Sequence, residues 1–129
     1  MTTSVVSAAI VERGGRFLIT RRQKGVHLEG YWEFPGGKCD AGETIDACLV
    51  RELREELGVT AQIADEVFTI THAYTDRVVE LHFLRCTIDG DPQPLLGQEV
   101  RWATREELSE LTFPPADAEL IQRLQGRSG

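Results

Sequence analysis

Basic residues are under-represented, cysteines are few, and no apolar stretch is long. Fourteen Lys and Arg stand against 21 Asp and Glu in 129 residues, a net charge of −7. That balance excludes the broad basic footprint of a duplex-binding protein and a polybasic membrane anchor. No run approaches the roughly eighteen apolar residues of a spanning helix. Met1-Thr2-Thr3-Ser4 lacks the basic region of a secretory signal. Cys39, Cys48 and Cys86 are odd in number and lack CxxC spacing. The expectation is three buried, reduced thiols in a cytoplasmic protein, with no disulfide framework or zinc site. Repeats, low-complexity segments and linkers are also missing. What remains is an ordinary globular composition, 41% hydrophobic and 27% charged. At this length it can bury one core without staples, so a single domain over 1–129 is expected.

Val5 to Glu12 is rich in β-branched and small residues and reads as a strand. Gly14-Gly15 reads as a hairpin turn into a second strand over 16–22, with Phe17 and Ile19 on one face and Leu18 and Thr20 on the other. Residues 23–30 read as a loop. Tyr31 to Phe34 is a short extended piece ending at Pro35-Gly36-Gly37. Thr44 to Leu57 is the clearest helix: Ile45, Leu49, Leu53 and Leu57 recur every four residues, with Thr44 as N-cap and Gly58 as stop. Strands follow over 67–74 and 78–88, joined through Thr75-Asp76-Arg77, and in the second Val79, Leu81 and Phe83 share a face. A short strand covers 100–103. Thr104 and Glu107 form a capping box opening a helix to about Leu111. Pro114-Pro115 separates it from a final helix over 116–125. Strands, helix, strands, helices make the class α/β or α+β, with a mixed sheet between helices.

The helix over 44–57 is charged in the wrong place. Glu52, Glu55 and Glu56 fall within an arc of about 100° in its last two turns. Like charges at i,i+3 and i,i+4 cost about 0.2–0.5 kcal/mol per pair. The carboxyl end of the helix dipole adds a further penalty. Glu56 also lies only about 20° from Leu49 on the wheel, inside the apolar stripe. A solvated acidic face would bring cations at i±4. Arg51 can offset Glu55, but Arg54 points away, which leaves Glu52 and Glu56 without a partner. A divalent cation would compensate them, and oxygen-only ligands point to a hard ion, Mg²⁺ or Mn²⁺. Such an ion normally completes its shell with water and substrate phosphate. Pro35-Gly36-Gly37-Lys38, just upstream, could bring bare backbone close to a ligand.

Gly37, five residues, Glu43, seven residues, then Arg51-Glu52-Leu53-Arg54-Glu55-Glu56-Leu57-Gly58-Val59 resembles the complete Nudix box, over residues 37–59. Trp32-Glu33-Phe34-Pro35-Gly36-Gly37-Lys38 resembles the segment that leads into the box in MutT-like nucleoside triphosphate pyrophosphohydrolases. Ile19-Thr20-Arg21-Arg22 with His27, Tyr74-Thr75-Asp76-Arg77, and Phe113-Pro114-Pro115-Ala116-Asp117 extend the likeness over nearly the whole chain. The resemblance implies a Nudix α/β/α sandwich. It also implies hydrolysis of a nucleoside diphosphate linked to another group.

Carried over residue by residue, the resemblance makes Glu52, Glu55 and Glu56 the Mg²⁺ ligands, with the Gly36 carbonyl beside them. Either Glu52 or Glu55 would be the catalytic base. Glu43 and Arg51 would pair to hold the loop on the helix. Arg22, His27, Gly36 and Arg77 would bind the nucleotide, Phe34 would line the base pocket, and Asp117 would touch the base. Two positions depart from the pattern. Leu96 stands where a further metal-binding Glu is expected, with Glu99 three residues later, and Asp117 replaces an Asn. An ionised Asp only accepts, which suits guanine N1–H and N2–H₂ or cytosine N4–H₂; alternatively it merely caps the last helix. The resulting expectation is a Mg²⁺-dependent enzyme of nucleotide-pool sanitation. It would convert oxidised purine nucleotides such as 8-oxo-dGTP to monophosphate and pyrophosphate, which bears on DNA repair. CTP or a modified dCTP is the alternative substrate, followed by nucleotide sugars or ADP-ribose. A nucleotide-binding regulatory module is the non-enzyme alternative, and the intact box disfavours it. Nucleic-acid polymers and membranes are not expected partners, and the chain is expected as monomer or homodimer.

Overall fold

The computed structural model describes residues 2–126. Strand β1 (Thr2–Ile10) lies at the centre of a mixed four-stranded sheet. It pairs antiparallel with β5 (Gly36–Lys38) and parallel with β7 (Arg77–Asp89), which pairs in turn with β6 (Thr60–Ala73). A second, antiparallel sheet is built on β3 (Arg16–Arg21). It meets β2 (Glu12–Arg13) and β4 (Trp32–Glu33) along one edge and β8 (Val100–Thr104) along the other. Helix α1 (Ile45–Leu57) and helix α2 (Ala118–Leu124) cover opposite sides.

Alternation along the strands separates two cores. On β1, Ala8 and Ile10 face the α2 side, whereas Ala9 and Val11 just beyond face α1. On β3, Phe17 and Ile19 join the α2 core and Leu18 the α1 core, as the period-two reading requires. Leu49, Leu53 and Leu57 of α1 are fully buried against Leu18, Leu84 and Val59. The Thr44 side chain accepts from Ala47 N at the start of α1, and Gly58, at φ 67°, ends it by donating to the Arg54 carbonyl.

Three expectations are corrected and one is extended. Gly36–Lys38, read only as the glycine end of a short extended piece, is itself a strand paired with β1: a Cβ on Gly36 would meet the Ser7 and Ala8 backbone, and one on Gly37 the Glu52 side chain. β6 begins at Thr60, seven residues earlier than its aromatic and β-branched run indicates, because β7 is long enough to pair it throughout despite two register shifts. The capping box forms reciprocally, Thr104 N to Glu107 Oε1 at 2.7 Å and Glu107 N to Thr104 Oγ1 at 3.2 Å, but it opens only a 3₁₀ turn, Glu106–Ser109. The cysteines are not all free thiols: Cys39 and Cys48 form a disulfide with their Cα atoms 5.2 Å apart, and among the described residues Cys86 is the free one. The chain leaves β5 and folds straight back into α1, so two residues nine apart meet without CxxC spacing. The disulfide removes the reduced-thiol argument for a cytoplasmic protein. No described helix is long and apolar enough to cross a membrane.

Candidate functional site

The site forms where β5 passes under the last turns of α1. A Cβ on Gly36 would lie 2.0 Å from the Ser7 carbonyl oxygen, and one on Gly37 would lie 2.2 Å from Glu52 Oε1. The two glycines therefore let a strand slide between β1 and the acidic helix. Arg51 organises the acids around this crossing. Its Nε and Nη2 grip Glu43 at 2.7 and 2.9 Å, and Nη2 also reaches the Lys38 carbonyl at 3.2 Å. Its Nη1 reaches Glu52 Oε2 at 2.8 Å and Glu55 Oε1 at 3.2 Å. Glu52 is thus compensated, contrary to the helical-wheel expectation, because a guanidinium can bridge its sequence neighbour as well as i+4. Its hydrogen bonds to Arg51, then that from Asp40 N, hold the Glu43 carboxyl down at about 2.

Among the described residues no cation pairs with Glu56. Burial, then the hydrogen bond and charge of Glu52, raise its carboxyl well above the usual carboxylate range. A proton shared between two acids occupies a place where a divalent cation would serve better, so Glu52 and Glu56 fit a metal. Glu55 is turned away onto Arg51 and its side chain is 59% exposed. Among the described residues no three acids or other ligating side chains converge into a closed metal cluster.

Two cavities of about 200 and 190 Å³ flank this point. Arg22, Glu33 and Gly36 line both. The smaller runs along Glu56, Thr20, Leu96 and Gln98. Gln98 ties its loop to the end of α1, accepting from Leu96 N at 2.9 Å and donating to the Glu56 carbonyl at 3.1 Å. Leu96 is 52% exposed at the rim, and Glu99 lies on Arg21 at 3.4 Å rather than in the cavity.

The larger cavity is walled by Val79, Leu81 and Phe83 of β7 and by Phe34, which stacks on Phe113 at 5.3 Å between centroids. His27 and Arg77 both line it and meet at Tyr74: His27 edge-on at 5.8 Å, Arg77 over the ring at 5.7 Å. Arg22 donates to the His27 carbonyl and, at 2.9 Å, to Glu33 Oε1. Asp117 lines the same cavity and is only 5% exposed. It occupies the N-cap position of α2 but makes no capping hydrogen bond, so the helix-cap alternative fails. Burial, then the charge of Glu33, pushes its carboxyl up to about 7. Asp117 is therefore not the fully ionised acceptor expected from sequence.

Glu33 was missed by residue-level reading. Burial raises its carboxyl against the pull of Arg22. Its signal was an acid between Trp32 and Phe34, which are both buried in the α2-side core. Leu28 was missed as well; it lines the larger cavity with φ 59°, a conformation rare for a branched side chain and without a sequence signature.

Fold and site define an α/β protein whose cleft joins an acidic helix to an aromatic cavity through a Gly-Gly strand. The NUDIX domain family matches residues 6–123. The chain is 38% identical over 121 residues to the 8-oxo-dGTP diphosphatase of Haemophilus influenzae, covering 92% of this chain and 89% of that protein. It is 36% identical over 118 residues to the CTP pyrophosphohydrolase of Escherichia coli K12, covering 91% and 87%. The solution structure of the E. coli ORF135 protein superposes with a TM-score of 0.84 at 35% identity, over 95% of this chain and 88% of that one. This chain belongs to the NUDIX domain family.

Proposed function

We propose that the protein is a Mg²⁺-dependent nucleoside triphosphate pyrophosphohydrolase, with Mn²⁺ as a possible substitute. It acts on free nucleotides and returns a monophosphate and pyrophosphate. The observation that carries this reading is the junction at Gly36. There an aromatic cavity lined by Asp117 and a cavity lined by Glu56 of the acidic helix share Arg22, Glu33 and Gly36 as walls. Oxidised purine nucleotides of the 8-oxo-dGTP kind are the first substrate class, in line with the name of the H. influenzae relative. CTP is the second, in line with the E. coli relative and with an Asp117 able to accept from cytosine N4–H₂.

Glu52, Glu56 and the Gly36 carbonyl are the residues proposed to hold the metal, joined by Glu55 once it leaves Arg51. When bound, the metal neutralises the phosphate chain and acidifies the attacking water. The protein's own groups do the rest. Phe34 and Asp117 seat the base, and Arg22 places a cation where the two cavities join. His27 and Arg77 hold the side of the larger cavity. Water adds to the first or second phosphorus, the bridge between them breaks, and the phosphate group displaced leaves with the electron pair of the bridging oxygen bond. The water's proton passes to a carboxylate. Glu52 suits that role better than Glu55, being only 13% exposed beside Gly37 while Glu55 lies in solvent on Arg51.

Glu52→Gln tests the assignment. It keeps the side-chain volume and a hydrogen-bond acceptor for Arg51, so the fold should persist. The kcat for triphosphate hydrolysis should fall by at least about 10²-fold, the scale of a lost base or metal ligand. Wild-type turnover in the folded variant would remove Glu52 from the mechanism.

A further inference from the structure

Cys39 and Cys48 have no part in the chemistry above, yet they fasten its two halves together. Cys39 follows the Gly36–Lys38 strand directly, and Cys48 lies one helical turn before Glu52. Their bond is the covalent tie between the strand offering the Gly36 carbonyl and the helix offering the acids. The surroundings of the two sulfurs differ. Cys48 is fully buried, whereas Cys39 is partly accessible. The hydroxyl of Ser7, itself fully buried, donates to Cys48 Sγ at 3.1 Å. Cys48 Sγ also lies 3.7 Å from the Gly37 carbonyl, an oxygen that a thiol could donate to and a disulfide sulfur could not.

We propose that Cys39–Cys48 is a redox-active pair whose disulfide clamps the Gly36–Gly37 strand onto the acidic helix and thereby sets the site's affinity for a divalent cation. The proposal rests on the metal assignment made above. Reduction takes an external dithiol. One of its thiolates attacks Cys39 Sγ, the reachable sulfur, and expels the Cys48 thiolate, which the Ser7 hydroxyl stabilises before it takes up a proton. The second thiol of the reductant then attacks the mixed disulfide and releases Cys39 as a thiol. The protein gains two electrons and two protons, and the dithiol becomes a disulfide. The reduced loop stays tethered by Arg51 to Glu43 and by Cys39 N to the Val5 carbonyl at 2.8 Å, so the strand loosens without detaching. Cys48 S–H then competes for the Gly37 carbonyl, next to Glu52. Groups that orient metal ligands commonly change affinity about 10- to 100-fold when lost. With the Arg51 brace intact, a weakening of about 3- to 10-fold is expected.

The test uses the whole protein, treated with oxidised glutathione or with dithiothreitol, and Mn²⁺ alone as probe. Iodoacetamide labelling in denaturant, read by mass, should add one group after oxidation and three after reduction. Mn²⁺ binding at one temperature, read from the free-ion electron paramagnetic resonance signal, should weaken about 3- to 10-fold on reduction. Cys39→Ser should show the weaker value under both treatments, and Cys86→Ser should behave as wild type. Three labels after oxidation, or equal Mn²⁺ affinity in the two wild-type states, would overturn the clamp. Absence of Mn²⁺ binding in both states, with the label count still changing, would instead contradict the metal assignment.

Discussion

Asp117, the residue proposed to read the base, ties that role to stability. Held at about 7, its carboxyl changes form near neutral pH. Protonated, it offers a donor beside an acceptor; ionised, it offers two acceptors. The groups sharing its cavity are Glu33, Arg22, His27 and Arg77. Glu33 opposes ionisation, and Arg22 is engaged with Glu33. The ratio of kcat/KM for oxidised dGTP to that for CTP should therefore drift between pH 6 and 8 in the wild type. Asp117→Asn fixes the donor–acceptor form and should flatten the drift. It should also shift the ratio by roughly 5- to 150-fold, from the about 1–3 kcal/mol of an unpaired polar group. An equal loss on both substrates with the same drift would take base reading away from Asp117. Stability follows the same group. The native state keeps the proton up to about 7, while the unfolded chain releases it near the ordinary 3.8. Between those values the unfolded state binds fewer protons, so stability falls as pH rises. Asp117→Asn should melt above wild type at pH 8, and the difference should vanish near pH 4.

At the scale of elements, two adjacent glycines on β5 separate folding from chemistry. At Gly36 an added methyl meets the backbone of β1, which cannot move without unpairing the strands. At Gly37 it meets the end of the Glu52 side chain, which can. Gly36→Ala should lower stability by about 1–3 kcal/mol or more, the cost of overpacking a fixed site. Gly37→Ala should melt close to wild type yet lose activity, because Glu52 is displaced. Denaturant unfolding and kcat on the two variants check this, and the reverse pattern would contradict it. The helix beside them was legible in sequence to its caps, since Thr44, Gly58 and a four-residue apolar repeat all point the same way. The strand below it was not. A Gly-Gly pair carries no period, and only the tertiary approach of Ser7 and Glu52 explains why bare backbone belongs there.

For the molecule as a whole, the alternation that divides Phe17 and Ile19 from Leu18 could be read from the residues, and so could a sheet covered by helices on both sides. The acids of α1 were legible as misplaced charge, but their partners were not. Arg51 bridges Glu43, Glu52 and Glu55 at once only because the 39–44 loop folds back over the helix. The same return brings Cys39 to Cys48, a meeting that spacing rules for cysteines do not anticipate. Glu33 and Asp117 come from segments more than eighty positions apart, and their mutual influence exists only once β4 and α2 close one cavity. The proposed function requires this cavity and the acidic helix to act together on nucleoside triphosphates. The most direct test is ³¹P NMR of the products when the protein is given 8-oxo-dGTP, dGTP and CTP separately, with and without Mg²⁺. The expected result is a monophosphate and pyrophosphate in equal amounts, only with the metal, and fastest for 8-oxo-dGTP or CTP. Orthophosphate with a diphosphate, or no turnover of any triphosphate in the presence of Mg²⁺, would contradict it.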